Sequence, residues 1–226
     1  MLIFFIIIDG DKIKTILFKK NIIGVKMKAL DFDFSKDLKL DVESGIVSFK
    51  NIRLVMFDVE AIGLLRKLLI DELGVKKARK IFLQFGYQQG FADFLQMKVN
   101  YSFDSEMDLL ASGPVIHTWE GVVKAVPKEI RFDRKTGEFY FTGTWTNSYE
   151  AAQHRAYFGL SDEVVCWSVM GYASGWCSAF FGKKLIAIEP VCVGKGDEAC
   201  GWEIKPEADW GPEAKPYIEA LKHFKV

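Results

Sequence analysis

Cys166, Glu189, Cys192 and Cys200 constrain this chain more than any other feature. The pattern C-x22-E-x2-C-x7-C gathers three thiols and a carboxylate into residues 166–200. Those are the four negative donors that a tetrahedral Zn²⁺ site accepts. The last three occupy IEPVCVGKGDEACGWEI, where two short apolar stretches flank Gly194-Lys195-Gly196-Asp197. This run predicts a β-hairpin with ligands on both arms, returning Cys200 beside Cys192. Cys166 then comes from a distant helix and clamps domain to hairpin. For any single cysteine the alternative is a buried, inert thiol, and Cys177, inside an apolar helix, is read as core. Four cysteines in 226 residues are too sparse for a disulfide-stapled secreted scaffold.

Thirty basic and thirty acidic residues cancel, which argues against electrostatic capture of nucleic acid or an anionic membrane. No stretch reaches the roughly 20 apolar residues of a membrane-spanning helix, so a cytoplasmic protein is expected. The opening MLIFFIII lacks a charged leader and a small-residue cleavage site. It reads as a buried strand or an upstream extension, with Met27 an alternative start. Half of the residues are hydrophobic and 14% aromatic, enough for a filled core and a lined cavity.

Residues 44–56 alternate around Lys50-Asn51 as a hairpin does. Helical spacing runs from Asp58 to Gly74, a suitable C-cap, and again from Val75 to Lys98. A shorter helix-like piece, Ser105–Ala111, meets Gly113-Pro114, which is expected to end the helical half. Residues 122–133 and 138–145 flank Arg134-Lys135-Thr136-Gly137, a strong hairpin signal. Residues 148–159 read as a short helix capped by Asn147 or Ser148. Residues 161–182 read as a longer one capped by Ser161 with acids in its first turn. Residues 210–224 form a terminal helix. Gly86-Tyr87-Gln88-Gln89-Gly90-Phe91 is echoed by Gly171-Tyr172-Ala173-Ser174-Gly175-Trp176. Each glycine costs up to about 1 kcal/mol in helix propensity, so both helices gain from close approach to a helix or a ligand. The echo hints at two related α+β layers.

His117 stands at the expected start of an apolar strand, and Trp145 lies at the end of another. A histidine there serves either as a satisfied core residue or as a ligand contact. With Trp145 it suits a phenolic hydroxyl: an indole N–H only donates, while a neutral imidazole has one accepting nitrogen.

His-x-Trp-Glu-Gly, the tryptophan after a strand, Cys-Trp opening a helix, Gly-Tyr-Ala-Ser-Gly and Glu-x2-Cys-x-Gly-Lys-Gly-Asp-x2-Cys occur in one order. Over roughly residues 40–220 the chain resembles the sensor module of bacterial activators of aromatic catabolism, the phenol- and xylene-responsive enhancer-binding regulators. That resemblance implies an α+β fold: an N-terminal strand and helix region packed on a 4-vinyl-reductase-type domain with a zinc-binding hairpin. It divides the chain into an extension (1–40), an activator-type dimerisation region (41–113), a ligand- and zinc-binding domain (114–210) and a C-terminal helix (211–226). It implies a structural Zn at Cys166, Glu189, Cys192 and Cys200, and a phenolic hydroxyl held by His117 and Trp145. Gly143, Met170 and Trp176 are pocket candidates, at positions where such modules differ. A homodimer is also implied.

The sequence holds no G-x4-G-K-[ST] phosphate loop and no helix-turn-helix candidate. The expectation is an excised sensor or a stand-alone relative whose ATPase or DNA-binding output partner is separate, without direct nucleic-acid or membrane contact. The leading reading is a non-enzymatic sensor of a small aromatic ligand. A tetrapyrrole or hydrocarbon carrier or enzyme accessory of the same domain type is the alternative, and a purely structural module the third.

Overall fold

The computed structural model describes residues 26–226, together with the backbone of two earlier strands, β1 (Leu2–Asp9) and β2 (Lys12–Lys19). These two pair antiparallel, from Leu2 opposite Lys19 to Asp9 opposite Lys12. The apolar opening therefore does form a strand. Its expected burial falls outside the described residues.

β3 (Leu38–Asp41), β4 (Ile46–Phe49) and β5 (Ile52–Leu54) form an antiparallel meander. The expected hairpin at 44–56 is β4 and β5, joined at Lys50, whose φ of +53° makes the tight turn. Phe49 stacks on Phe34 with centroids 4.3 Å apart, giving the meander its own aromatic core. α1 (Val59–Leu73) starts where the Asp58 carboxylate accepts the Ala61 N–H at 2.6 Å, satisfying one orphan donor of the first turn. It stops at Gly74, φ +78°, and α2 (Val75–Asn100) follows at once.

α3 (Glu106–Trp119) corrects two expectations: Gly113-Pro114 does not end the helix, and His117 lies on a helix rather than at a strand start. Proline removes the N–H that would bond the carbonyl four residues back, here that of Leu110. The freed Leu110 carbonyl accepts the Trp176 indole N–H at 3.1 Å instead. Gly113 makes room for that indole, since a Cβ there would overlap the Trp176 ring. The helix continues because a side chain from elsewhere satisfies the bond that proline broke.

β6 (Lys124–Asp133) and β7 (Glu138–Thr146) form the hairpin expected around residues 134–137. α4 (Tyr149–Phe158) is capped by the Ser148 hydroxyl, and α5 (Trp167–Phe181) follows. β8 (Leu185–Ile188) and β9 (Cys200–Pro206) complete an antiparallel sheet of order β6-β7-β9-β8. Along β7, Phe139, Phe141, Gly143 and Trp145 are buried in alternation, so one face of the sheet looks into the core. α5 lies on the sheet through its contacts with β8 and β9, and α2 packs on α5. α6 (Lys215–Leu221) closes against α2 and β8.

The glycine echo is one interface. A Cβ on Gly86 or Gly90 would overlap the carbonyls of Ser168 and Tyr172, and one on Gly171 or Gly175 those of Leu83 and Tyr87. The two glycine helices interlock backbone to backbone and do not belong to separate layers. The helix expected from Ser161 also needs correction, because α5 begins at Trp167 and Ser161 caps no helix. The buried Glu150 carboxylate takes the first free donors of α5, Ser168 N–H at 2.7 Å and Val169 N–H at 3.2 Å. Residues 161–166 are thereby left as a loop that can deliver Cys166.

Candidate functional site: a thiol-carboxylate cluster beside an aromatic cavity

The ligand atoms of Cys166, Glu189, Cys192 and Cys200 all lie within 4.8 Å of one another, and all four residues are buried. Cys200 opens β9 opposite Trp145. Cys192 sits in the connecting loop, not on a strand arm as expected. There its N–H donates to the Asp197 carboxylate at 2.7 Å, and its carbonyl accepts from Lys195 and Asp197. Gly196, φ +102°, closes this knuckle. Gly194 packs against Val165, where a Cβ would overlap the valine side chain. Cys166 arrives on the loop before α5, its sulfur 3.8 Å from that of Cys200.

The donor set fits a metal ion. Burial pushes the Cys166 thiol up and lifts Glu189 to about 8. The thiols of Cys166 and Cys200, hydrogen-bonded to the Cys192 sulfur, hold Cys192 at about 2. Glu189 Oε1 is fully buried with no hydrogen-bond partner. Such an orphaned acceptor beside three sulfurs is suited to a divalent cation.

Sequence reasoning missed the support beneath this loop. Arg66 and Glu150, 2% and 0% exposed, form an ion pair at 2.7 Å. Arg66 also donates to the Val165 carbonyl at 2.9 Å and lies 3.7 Å over the Trp167 ring. One buried guanidinium thus ties α1 to α4 and to the residue preceding Cys166. The available signal was that Arg66 shares the helical stripe of Gly63 and Ile70, a face that otherwise packs inward.

Beside the cluster, between α3, α5 and the sheet, lies an apolar cavity with about 330 Å³ of empty space, counting its open part. His117 and Trp145 both line it, as does Trp176. Burial pulls His117 down to about 3, so its imidazole is neutral at physiological pH and has one accepting nitrogen. Gly143 stands just behind the wall against the Trp202 ring. Met170 is fully buried but away from the lining. Tyr172, Cys177 and Trp202 line the cavity and were not singled out from sequence. Tyr172 stacks on His117 at 3.8 Å and 17° and sets the imidazole plane.

On the other side of Tyr172, a second cavity is lined by Asp93, Glu120 and Gln89 among apolar side chains. Asp93 Oδ2, Glu120 Oε2 and the Tyr172 hydroxyl are buried and unpartnered. Burial lifts the Asp93 carboxyl to about 7 and pushes Glu120 up as well. Among the described residues no helix is long and apolar enough to cross a membrane.

A family model described as an activator of aromatic catabolism matches residues 33–133, and a model of the 4-vinyl-reductase domain matches residues 145–206. The phenol regulator MopR of Acinetobacter guillouiae is 32% identical over 179 residues. The transcriptional regulatory protein XylR of Pseudomonas putida is 32% identical over 180 residues. Each alignment covers 79% of this chain and 32% of the relative, so the chain spans about a third of the length of those proteins. The crystal structure of the phenol-responsive sensory domain of the transcription activator PoxR with phenol superimposes with a TM-score of 0.78 and 32% identity. That match covers 83% of this chain and 92% of the PoxR domain.

Proposed function

Because the chain belongs to the family of activators of aromatic catabolism, we propose that it is an effector sensor: it buries a small phenolic aromatic and passes the bound state to a transcriptional output. One observation carries this reading. His117 and Trp145, from a helix and a strand, line a single apolar cavity in which the imidazole is held neutral. A phenol hydroxyl accepts from the Trp145 N–H and donates to the free imidazole nitrogen, while the ring replaces water against apolar walls. Each hydrogen bond contributes about 1 kcal/mol, and ring burial supplies most of the affinity.

Cys166, Glu189, Cys192 and Cys200 would hold one Zn²⁺. Four protein donors complete a tetrahedron and leave no position for a reacting water, so the ion's part is structural. The chain performs no chemistry on its ligand. A tetrapyrrole is disfavoured by the space, since a macrocycle of four linked rings exceeds a cavity scaled to one. In cells the signal is a population shift, limited by how much better the effector binds one state than the other.

In this reading residues 114–210 hold ligand and metal, residues 41–113 pair two cytoplasmic copies, and a separate ATPase or DNA-binding unit responds. Val55, Met56 and Phe57, each about two-thirds exposed, line an apolar groove with Phe85 and Trp119, which supports a protein contact there. The test is calorimetry with phenol. His117→Ala is expected to weaken binding by about 1–3 kcal/mol through an unpaired buried hydroxyl, and unchanged affinity removes His117 from the site.

A further inference from the structure

Six tryptophans occur in the chain, and their indole N–H groups divide into two sets. Trp119, Trp167, Trp176 and Trp210 each donate to a backbone carbonyl, of Phe32, Val164, Leu110 and Ile186 respectively. Trp145 and Trp202 have no acceptor among the described residues, and both line the aromatic cavity. Trp145 is matched by the effector hydroxyl in the reading above. Trp202 is 2% exposed, its Nε1 is buried without a partner, and nothing yet accounts for it.

The sheet register shows where this donor sits. Trp202 pairs with Gly143, between Phe141 opposite Ile204 and Trp145 opposite Cys200. Phe141, Gly143 and Trp145 share the buried face of β7, so the indole lies on the cavity side of the sheet. Its Cε2–Cζ2 edge rests on Gly143, where any Cβ would overlap that edge and the Val126 carbonyl. Nε1 is bonded to Cε2, so the N–H belongs to that same edge. The Trp145 ring is nearly parallel, its centroid 6.0 Å away. Two indole donors therefore serve one cavity sized for a single substituted ring.

We propose that Trp202 is a second recognition donor and that the preferred effector is a hydroxyaryl compound bearing a ring carbonyl group. This rests on the phenolic-effector reading and refines it. A buried donor left unpaired is unfavourable, so a ligand that supplies an acceptor gains over one of equal shape that does not. A site built to hydrogen-bond a substrate group also discriminates strongly against the analogue lacking it.

The probes are phenol, the three hydroxyacetophenones and the three isopropylphenols, whose substituents match acetyl in heavy-atom count but accept nothing. Calorimetry on the metal-loaded protein is expected to show one hydroxyacetophenone isomer binding about tenfold more tightly than its isopropyl counterpart. In Trp202→Phe that preference ratio falls to near one. Indole ¹⁵N–H spectra of the unaltered protein supply a readout that needs no variant. The Trp202 resonance moves downfield with the acetyl ligand and not with the isopropyl one. Phenol binding without a carbonyl preference, a preference that survives Trp202→Phe, or an unmoved resonance overturns this proposal alone. Failure of phenol and of every hydroxyacetophenone to bind overturns the phenolic-effector reading along with it.

Discussion

Replacing Arg66 by methionine tests whether the buried ion pair holds the metal loop in place. The substitution keeps most of the side-chain volume and removes three interactions: the 2.7 Å pair with Glu150, the 2.9 Å bond to the Val165 carbonyl and the contact 3.7 Å over Trp167. Breaking one side of a buried pair costs about 3–5 kcal/mol, because the other charge stays buried. Glu150 keeps its bonds from Ser168 and Val169, so the lower end, about 3 kcal/mol, is expected. At about 2–4 °C per kcal/mol for a domain this size, that lowers Tm by roughly 6–12 °C. Burial already raises the Glu150 pKa, and losing the guanidinium raises it further. The deficit should therefore shrink as pH falls and the carboxyl takes up a proton in folded and unfolded chains alike. Arg66→Met/Glu150→Gln removes both charges and leaves an amide oxygen to accept from Ser168, so it should recover more than half of the loss. Urea unfolding of the metal-loaded protein measures all three chains. A single variant within 1 kcal/mol of the parent, or a double variant no better than the single, would falsify the account.

Three further outcomes are expected. Gly90→Ala gains up to about 1 kcal/mol of helix propensity, yet its Cβ overlaps the Tyr172 carbonyl of the facing helix. Overpacking of about 1–3 kcal/mol should win, and a thermal melt showing stabilisation would refute the interlocked interface. Asp93 titrates near 7 instead of 3.8, so its contribution to stability is complete below about pH 4, is lost as pH rises to about 7 and is absent above. Asp93→Asn should flatten that slope and raise Tm at neutral pH, while an unchanged pH profile would remove the effect. Protein purified without chelator should carry about one zinc per chain by elemental analysis, and stripping it should lower Tm; a metal-free preparation with the same melting point would refute a structural ion.

Much of the metal cluster was legible because it is nearly local: Glu189, Cys192 and Cys200 fall within one turn and its flanks, and Gly196 marks the bend. Helix caps such as Asp58, Ser105 and Ser148 were likewise short-range signals. The same logic failed at Gly113-Pro114, where local chemistry says stop and the structure continues. The Trp176 indole that rescues the freed carbonyl is 66 positions away from Leu110, and no local rule sees it. Ser161 failed for a similar reason, because Glu150 had already claimed the donors at the start of α5.

Composition, periodicity and ligand spacing by themselves determined an α+β chain with a four-donor cluster and a polar pair suited to a phenol. Only the tertiary structure decided that His117 projects from a helix into the same cavity as Trp145, that Arg66 and Glu150 brace the Cys166 loop, and that Trp202 holds an unmatched donor. The physical reason is that capping and turn energies depend on neighbours in the chain. Burial, desolvation and hydrogen-bond satisfaction depend on whatever the rest of the fold brings alongside.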